Sequence, residues 1–250
     1  MKKILVTGAN GQLGSELKEL SSHYSQFEWV FADRSVLDLS DLASISKVLE
    51  TIQPQIIINC AAYTAVDKAE TETELAEVLN HQAVGILAQW SANHDCRLVH
   101  VSTDYVFDGN SNVALIEEAP TGPINVYGQT KLAGEQACLR ENPDAIVIRT
   151  SWVYSRFGNN FVKTMARLMQ ERESLNVVND QIGSPTYAAD LAQAILTIVT
   201  HSNWKAGIYH FSNEGEISWY EFAVAIQEIG GLNCALSGIP SSDYPTPAQR

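Results

Sequence analysis

The sequence has few basic residues, few cysteines and no long apolar run, and each of these shortages excludes a class of protein. Its 250 residues contain 16 Lys and Arg against 29 Asp and Glu, which gives a formal net charge of −13. A chain this acidic lacks the basic surface that attracts nucleic acids or anionic membranes. We therefore expect no nucleic-acid partner and no membrane partner, although a local site could still hold an anionic ligand.

Cysteine is scarce as well, since the chain has four, widely separated and without a CxxC pair. This spacing predicts reduced, buried thiols and argues against a disulfide framework or a zinc site. The longest apolar run, IIINCAA, is too short to span a bilayer, and the run ILV near the start is too short for a signal peptide. We expect a soluble, cytoplasmic protein.

What the sequence does contain is a regular alternation of short β-branched runs and longer helical patterns. The predicted strands are KILVTG, FEWVFA, IIIN, RLVHVS, AIVIRTS and IYHFSN. Alternation of this kind is typical of proteins in which a mostly parallel sheet carries helices on both faces. The predicted fold class is therefore α/β, with a doubly wound parallel sheet.

The alternation weakens after about residue 150, where Gly, Asn and Pro become frequent in segments such as NDQIGSPTY. We predict a dinucleotide-binding domain over residues 1–150 and a smaller lobe, mainly for substrate binding, over residues 151–250. Segments near residues 183–212 are expected to return to the first domain, because IYHFSN has the pattern of a further strand.

A glycine-rich loop, TGANGQLG, lies between the first predicted strand and the first predicted helix. A glycine pattern alone is weak, but this context is that of a Rossmann-type dinucleotide site. Gly8 would permit the tight turn, Gly11 the approach of a pyrophosphate, and Gly14 close packing of the helix, whose N-terminus offers free N–H groups. The other loop residues predicted to bind the cofactor are Asn10, Gln12 and Leu13.

An acidic and a basic residue at the end of the second predicted strand bear on the choice of dinucleotide. Asp33 lies 19 residues beyond Gly14, where an acidic group usually accepts the ribose 2′-hydroxyl of NAD. Arg34 beside it could instead pair with the 2′-phosphate of NADP. The sequence therefore leaves NADH and NADPH open. Asp38 and Leu39 are further candidates as neighbours of the adenine, although a solvated loop gives the same pattern.

The stretch VYGQTKLAGE places Tyr127 four residues before Lys131, on one face of a predicted helix. The spacing alone is weak, because a surface lysine beside a half-buried tyrosine produces it too. Next to a dinucleotide site it predicts a catalytic pair, since an ammonium group or an oxidised nicotinamide favours the phenolate and lowers the tyrosine pKa. Such a tyrosine can exchange a proton with a carbonyl or alcohol oxygen near neutral pH.

A hydroxyl group is expected to complete the catalytic set. The stretch VHVSTDYVFDG supplies Ser102 and Thr103 where a predicted strand meets the cleft. A hydroxyl in this place can hydrogen-bond the reacting oxygen and hold it near the phenol. We predict that Thr103 has this role, with Ser102 as the alternative.

These motifs resemble those of the extended short-chain dehydrogenase/reductase superfamily. The stretches NCAAYTAVDKAE, VSTDYVFDG, RTSWVY, DQIGSPTYAADLA and SWYEFA narrow the resemblance to the dTDP-4-dehydrorhamnose reductases, from residue 7 to about residue 223. The resemblance implies a step of dTDP-rhamnose biosynthesis. In it the C4 ketone of dTDP-4-dehydro-6-deoxy-L-mannose is reduced to dTDP-L-rhamnose, with hydride from NADPH or NADH and a proton from Tyr127.

The resemblance also implies roles for individual residues. Lys131 would tune Tyr127 and hold the nicotinamide ribose, and Thr103 would orient the carbonyl group. The residues expected along the cofactor past the third strand are Ala61, Ala62 and Tyr63. The residues expected to face the sugar are Thr64, Asp104, Tyr105 and Trp152. Trp152 suits a stacking wall for a pyranose, although a core tryptophan at a strand end produces the same pattern.

Two departures from the resemblance concern the end of the chain and a metal. Related chains continue further, so we expect a C-terminal tail beyond Arg250 that completes the nucleotide-diphosphate site. Some members bind Mg²⁺ between paired subunits, and Glu16 and Asp190 match two of the carboxylates involved. A third carboxylate is lacking and hard cations need several oxygen ligands, so we predict solvated surface acids and no metal site. The sequence does not fix the oligomeric state, and a homodimer stays open.

Two other interpretations share part of the pattern. Sugar-nucleotide epimerases and dehydratases have the same glycine loop and Tyr–Lys pair, but dehydratases add an acidic pair after the catalytic threonine, whereas Thr103 is followed by DYVF. A non-catalytic dinucleotide-binding regulatory subunit on this scaffold would not need Thr103, Tyr127 and Lys131 together. The reductase is the predicted function.

Overall fold

The computed structural model describes residues 1–111 and 113–250. Its strands are β1 (Lys2–Thr7), β2 (Phe27–Ala32), β3 (Ile56–Asn59), β4 (Arg97–Thr103), β5 (Ile146–Thr150), β6 (Val153–Tyr154), β7 (Ser174–Val178), β8 (Ile182–Gly183), β9 (Thr186–Tyr187), β10 (Gly207–His210), β11 (Ile217–Ser218) and β12 (Ala235–Ile239). Its helices are α1 (Gln12–Leu20), α2 (Leu42–Ile52), α3 (Val66–Ala69), α4 (Thr73–Glu77), α5 (Ala83–Asn93), α6 (Val126–Glu141), α7 (Phe161–Glu171), α8 (Ala188–Thr200) and α9 (Trp219–Gly230).

Six parallel strands form the central sheet, in the order β2-β1-β3-β4-β5-β10. These are the six strands that the sequence predicts, so the predicted α/β fold with a doubly wound parallel sheet is confirmed. The strand order reverses between β1 and β3, where the connections leave toward opposite faces. Such a switch point opens a crevice outside the carboxyl ends of the strands, and ligands bind there in sheets of this kind.

Helices cover both faces of this sheet, which explains why its inner strands are apolar throughout. One core cluster includes residues of α2, α5 and α6, and the other includes residues of α1 and α8. Ile4, Leu5 and Val6 of β1 are completely buried and alternate between the two clusters. Full burial of each such side chain contributes about 1.5–3 kcal/mol, and the two clusters hold the strand ends in a fixed frame.

The chain after β5 is divided between the sheet and a set of smaller elements. The strand pairs β6-β9, β8-β11 and β7-β12 form three two-stranded sheets. Residues of α7, β7 and α9 share a third core cluster with Cys234. In contrast, α8 packs on the central sheet and β10 forms its edge beside β5. In the described residues, no helix combines the length and apolarity that a membrane crossing requires.

The cysteines are unpaired thiols in the structure. Cys96, Cys138 and Cys234 are buried as predicted, whereas Cys60 is half-buried at the carboxyl end of β3. Burial raises the pKa of the Cys60 thiol to about 12, so this group stays protonated at neutral pH.

Candidate active site

The glycine loop follows β1 at the switch point, and its backbone leaves no space for larger residues. Gly8 has φ +64°, and a Cβ added to it would lie 2.8 Å from the backbone nitrogen of Ala61 on the loop after β3. A Cβ on Gly14 would lie 2.3 Å from the carbonyl oxygen of Gly8. Contacts this short with backbone atoms cannot be relieved by a side-chain rotation. Glycine at these two positions therefore lets β1, β3 and α1 come together.

The N-terminus of α1 is open toward a cavity. Gly11 precedes the helix, and no side chain of the described residues caps the first turn. The cavity has a volume of about 390 Å³, and its lining residues are Gly8, Ala9, Asn10, Gly11, Asp33, Arg34 and Ser35. Uncapped N–H groups at the positive end of the helix dipole favour a phosphate group. The site therefore fits the pyrophosphate of a dinucleotide.

Asp33 lies at the far side of this cavity and is held as a carboxylate. One oxygen accepts hydrogen bonds from the hydroxyl and the backbone N–H of Ser35, at 2.6 and 2.9 Å, and the other accepts from Asn10 at 3.1 Å. These bonds, the Ser35 hydroxyl first, keep the Asp33 pKa below its ordinary value. Arg34 beside it is exposed. A negative and a positive charge therefore both border the predicted adenosine ribose site.

Four residues predicted to bind the cofactor have their side chains engaged elsewhere. Leu13 and Leu39 are buried in the two sheet clusters. Gln12 donates to the carbonyl oxygen of Val153 at 3.3 Å. Asp38 accepts from the backbone and hydroxyl of Ser40 at 2.9 and 2.7 Å. Backbone groups of Gln12 and Leu13, in the first turn of α1, are the parts of these residues that face the phosphate site.

The predicted catalytic helix α6 begins beside the carboxyl ends of β3 and β4. Asn125 caps it by accepting a hydrogen bond from the backbone N–H of Gly128 at 2.8 Å. Tyr127 is 9% exposed and Lys131 is 1% exposed. The ammonium group of Lys131 donates to the carbonyl oxygen of Val101 on β4 at 2.7 Å. This bond draws the lysine beneath the sheet edge, while Tyr127 lies at the cleft.

The pKa shifts of this pair differ from the sequence-based expectation. Burial raises the pKa of Tyr127, and the neighbouring Thr103 hydroxyl opposes that shift only in part. Burial also lowers the pKa of Lys131 to about 8, with Glu135 as the main opposing influence. The expected lowering of the phenol pKa is therefore wrong for this structure, because desolvation of the phenol is the largest influence on it. The tyrosine is a neutral proton donor here.

Thr103 and Ser102 leave the end of β4 in different directions. The Thr103 hydroxyl donates to the Asp104 carboxylate at 2.9 Å and accepts from the backbone N–H of Tyr105 at 3.2 Å. A hydrogen bond between the Thr103 hydroxyl and the Tyr127 phenol also lowers the pKa of that phenol, against the effect of burial. The Ser102 hydroxyl is buried and has no hydrogen-bond partner among the described residues. The geometry therefore favours Thr103 over Ser102 as the hydroxyl of the catalytic set.

Asp104 and Tyr105 line the cleft next to this hydroxyl. Burial raises the pKa of Asp104 to about 6, against the hydrogen bond from Thr103. The ring of Tyr105 meets the ring of Tyr127 edge-on, with centroids 5.4 Å apart and an interplanar angle of 74°. The predicted sugar-facing residues of this segment thus lie directly beside the predicted proton donor.

Trp152 has a strained backbone and a fixed ring. Its φ is +48°, a left-handed value that is rare for a bulky residue. Its indole stacks on Trp219 with centroids 3.5 Å apart and an interplanar angle of 10°. On another side, a Cβ added to Gly183 would lie 2.7 Å from the indole. Strained residues of this kind persist where the surrounding structure over-determines them, often at functional sites.

The segment after β3 brings Ala61, Ala62 and Tyr63 along the cleft, with Thr64 exposed next to them. Asn80 fixes this segment: it accepts from the backbone N–H of Tyr63 at 2.8 Å and donates to its carbonyl oxygen at 3.1 Å. Asn80 is buried in the π-helical turn Val78–Gln82 between α4 and α5. A π turn is a feature often found at functional sites, and this one has no recognisable sequence signal.

The matched family model is described as the RmlD substrate binding domain, and it covers residues 1–250. A dTDP-4-dehydrorhamnose reductase of Aggregatibacter actinomycetemcomitans is 41% identical over 260 residues, covering 100% of this chain and 88% of that protein. The chain belongs to the dTDP-4-dehydrorhamnose reductase family.

Two further relatives bear on cofactor and substrate in this reductase family. The crystal structure of the Bacillus anthracis str. Ames dTDP-4-dehydrorhamnose reductase in complex with NADP has a TM-score of 0.95 and 41% identity, covering 100% of this chain and 88% of that one. A dTDP-4-keto-6-deoxy-D-glucose reductase of Streptomyces niveus is 44% identical, covering 98% of this chain and 83% of that protein. The family resemblance and the predicted fold are thereby confirmed.

In this reductase family member, one prediction about the acidic residues is wrong. Glu16 was expected to be a solvated surface acid, but it is 3% exposed and accepts a hydrogen bond from the Ser155 hydroxyl at 2.6 Å. The bond joins α1 to the loop after β6, a contact that connects positions 139 residues apart. Asp190 is exposed as predicted and accepts from Asn213 at 2.7 Å. Among the described residues no group of three metal-ligating side chains comes together.

A buried ion pair behind the catalytic helix was missed in the sequence. Arg149 on β5 donates to both carboxylate oxygens of Glu135, with the shortest contact at 2.7 Å. Both side chains are buried. Breaking such a pair by removing one partner leaves an uncompensated buried charge. The pair therefore fixes α6 to the sheet at Glu135, one turn after Lys131. It thereby also fixes the position of Tyr127 on the same helix.

Proposed function

We propose that this chain reduces the C4 ketone of dTDP-4-dehydro-6-deoxy-L-mannose to give dTDP-L-rhamnose, using NADPH or NADH. The supporting observation is that Thr103, Tyr127 and Lys131 converge at the carboxyl edge of the sheet, beside a glycine loop fitted to a pyrophosphate. A non-catalytic dinucleotide-binding subunit would have no use for all three groups. The family names support the same reaction class.

When bound, the nicotinamide supplies a hydride to C4. Tyr127 supplies the proton: its phenol O–H bond breaks as a new O–H bond forms on the C4 oxygen, which completes the alcohol. The phenol of Tyr127 carries its proton at neutral pH, as a general acid must. Burial raises its pKa, which weakens it as an acid, and a bound oxidised nicotinamide would lower that pKa again. The resulting phenolate takes up a proton from solvent before the next turnover, and we propose that the ammonium group of Lys131 stabilises it until then.

Thr103 would orient the carbonyl group of the substrate, and Lys131 would hold the cofactor. In the present arrangement the Thr103 hydroxyl donates to Asp104, so it must turn to donate to the carbonyl oxygen. Lys131, tethered to Val101, would hold the ribose hydroxyls of the nicotinamide half with its remaining N–H groups.

The sugar would lie between the end of β4 and the segment that follows β5. We propose that Thr64, Asp104 and Tyr105 hydrogen-bond it on one side and that the fixed ring of Trp152 covers it on the other. On this assignment, residues 1–150 form the dinucleotide-binding domain, and residues 151–250 form mainly the substrate lobe, with α8 and β10 returning to the sheet. The location we propose is the cytoplasm, the compartment of reduced thiols.

One relative gives reason to test a second substrate. The Streptomyces niveus protein is named for dTDP-4-keto-6-deoxy-D-glucose, which carries the same ketone on a sugar of different configuration. The catalytic groups would act on either compound in the same way. Which configuration is accepted depends on the groups that surround the sugar ring.

The test is an assay with NADPH or NADH and each of the two 4-keto sugar nucleotides, first with the wild type and then with Tyr127→Phe. Loss of the proton donor should lower kcat by at least ~100-fold, the scale of general acid catalysis, with the dinucleotide Kd little changed. Tyr209→Phe is the matched control, because that tyrosine is exposed on the edge strand and its hydroxyl donates to the Lys205 carbonyl oxygen. Near-normal turnover in Tyr127→Phe would refute the assigned role.

A further inference from the structure

Two carboxylates in the stretch VDKAE have structural partners on the substrate side of the site. They are Asp67 and Glu70, in and directly after the short helix α3. Glu70 accepts a hydrogen bond from the backbone N–H of Val126 at 2.9 Å, so it serves the first turn of the catalytic helix. Asp67 points to a different partner, and the reaction described above gives it no role.

Asp67 binds the segment that contains residues 248–250. One carboxylate oxygen accepts from the backbone N–H of Ala248 at 3.3 Å, and the other accepts from the guanidinium of Arg250 at 2.9 Å. Ala248 is completely buried. The same segment is tied to the cap of α6, because Asn125 donates to the carbonyl oxygen of Gln249 at 2.8 Å. The segment is therefore held in one register beside the start of the catalytic helix.

Arg250 connects this segment to a side chain of the cleft, Tyr105. Its Nε donates to the hydroxyl of Tyr105 at 3.2 Å, while its other face binds Asp67. The Tyr105 ring in turn meets the Tyr127 ring edge-on at 5.4 Å. A continuous series of contacts thus runs from Asp67 through Arg250 and Tyr105 to the proton donor.

The exposure of this ion pair argues that its purpose is not stability. The Asp67 side chain is 41% exposed and that of Arg250 is 23% exposed. Ion pairs in such surroundings contribute little to the free energy of unfolding, typically ~0–1 kcal/mol. Arg250 does, however, bind Asp67 and the hydroxyl of Tyr105 at the same time, so it fixes the position of that hydroxyl.

We propose that Asp67 is a positioning residue for sugar-nucleotide binding, acting through Arg250 to hold Tyr105 edge-on to Tyr127 in the substrate-ready arrangement. The inference rests on the proposed function, since it concerns the substrate side of that site. It assigns separate tasks to the two acids: Glu70 supports the helix, and Asp67 supports the wall that the substrate meets.

The first test is Asp67→Asn in the full chain. Loss of the charged acceptor should raise KM for the 4-keto sugar nucleotide by about tenfold, the effect of one hydrogen bond to a charged group. The expected kcat stays within about twofold, and NADPH affinity and Tm stay unchanged. Asp95→Asn is the matched control, because Asp95 is an exposed carboxylate with φ +49°, a backbone conformation that Asn also accepts. An unchanged KM in Asp67→Asn overturns the proposal, as does an equal loss of NADPH affinity.

The second test asks whether Asp67 works through Arg250. In a cycle of Asp67→Asn, Arg250→Gln and the double variant, the double variant should be no worse in KM than Arg250→Gln alone. Additive effects would show that the two residues act independently and would contradict the proposal. Binding of dTDP to the NADPH-loaded variants, measured by calorimetry, gives a readout without turnover. If the wild type binds dTDP but reduces neither 4-keto sugar, the proposed function fails while the Asp67 cycle can still be read.

Discussion

The two ends of the cleft are built in different ways. The cofactor end depends on one continuous stretch, residues 8–14, and on the backbone of α1. The proposed sugar end is assembled from segments far apart in the chain, around residues 67, 105, 152 and 250. Its side chains are held by one another: Trp152 by Trp219, and Tyr105 by Arg250. Binding a part common to many ligands needs a local motif, whereas recognising one sugar needs long-range packing.

If this contrast is correct, damage to the glycine loop should abolish cofactor binding altogether. In Gly14→Val the new side chain collides with the Gly8 carbonyl at the position where Cβ would lie 2.3 Å away, so α1 must leave the sheet. We expect NADPH affinity to fall by at least ~100-fold, equivalent to about 2.7 kcal/mol, measured by fluorescence titration.

Gly85→Ala is the control for this substitution, since its Cβ would meet only the Ala137 methyl group at 3.5 Å and alanine favours helix by about 1 kcal/mol. If Gly14→Val fails to fold, Gly11→Ala serves instead, because its Cβ would lie 3.2 Å from the Gly8 oxygen. Normal NADPH affinity in a folded Gly14→Val, or in Gly11→Ala where Gly14→Val does not fold, would break the comparison.

At the proposed sugar end, a single added methyl group should weaken binding of the sugar nucleotide and leave NADPH binding unchanged. Gly183→Ala places a Cβ 2.7 Å from the Trp152 indole and pushes the ring off its stack with Trp219. We expect KM for the 4-keto sugar nucleotide to rise about tenfold, the upper range for an aromatic pair, with NADPH affinity unchanged. Trp219→Leu should reproduce the effect. A parallel loss of NADPH affinity would mean that the two ends are not independent.

The charges at the ribose site provide a finer test within the cofactor end. Asp33→Asn removes the carboxylate that would repel a 2′-phosphate while keeping an oxygen for Ser35. We expect the ratio of kcat/KM for NADPH over NADH to rise about fivefold, roughly 1 kcal/mol. Arg34→Gln should move the same ratio in the opposite direction. Equal changes for both cofactors would show that these residues do not discriminate between them.

Asp104 provides a test that is read in the free energy of unfolding. Its pKa is raised from 3.8 to about 6, so the folded state disfavours ionisation, and stability falls as pH rises through that range. Asp104→Asn should therefore raise the free energy of unfolding by about 2–3 kcal/mol at pH 8 and by much less at about pH 3.5, where the carboxyl group is mostly protonated in both states. Thermal melts at the two pH values check this, and a gain that is equal at both would contradict the burial of this carboxyl group.

The sequence predicts those features that depend on short-range patterns. The six strands could be predicted because each is a short run of strand-forming residues that alternates with helical patterns, and the glycine loop because its spacing is fixed by one turn. The strained φ of Trp152 and the burial of Glu16 could not be predicted, since each depends on partners more than 30 residues away, Gly183 and Ser155. The predicted direction of the Tyr127 pKa shift was wrong for the same reason, because desolvation depends on how the whole fold covers the ring.

Gln12 has a further consequence for the tempo of the reaction. It belongs to the glycine loop, yet its side chain binds Val153 and accepts from Asn160 at 3.0 Å, across the cleft. The Gln12 amide thus joins the glycine loop to the segment that contains Val153 and Asn160. A reductase must exchange its coenzyme at every cycle. We therefore expect the hydrogen bonds of Gln12 to Val153 and Asn160 to break in each cycle, and the rate of this opening to limit the release of oxidised coenzyme.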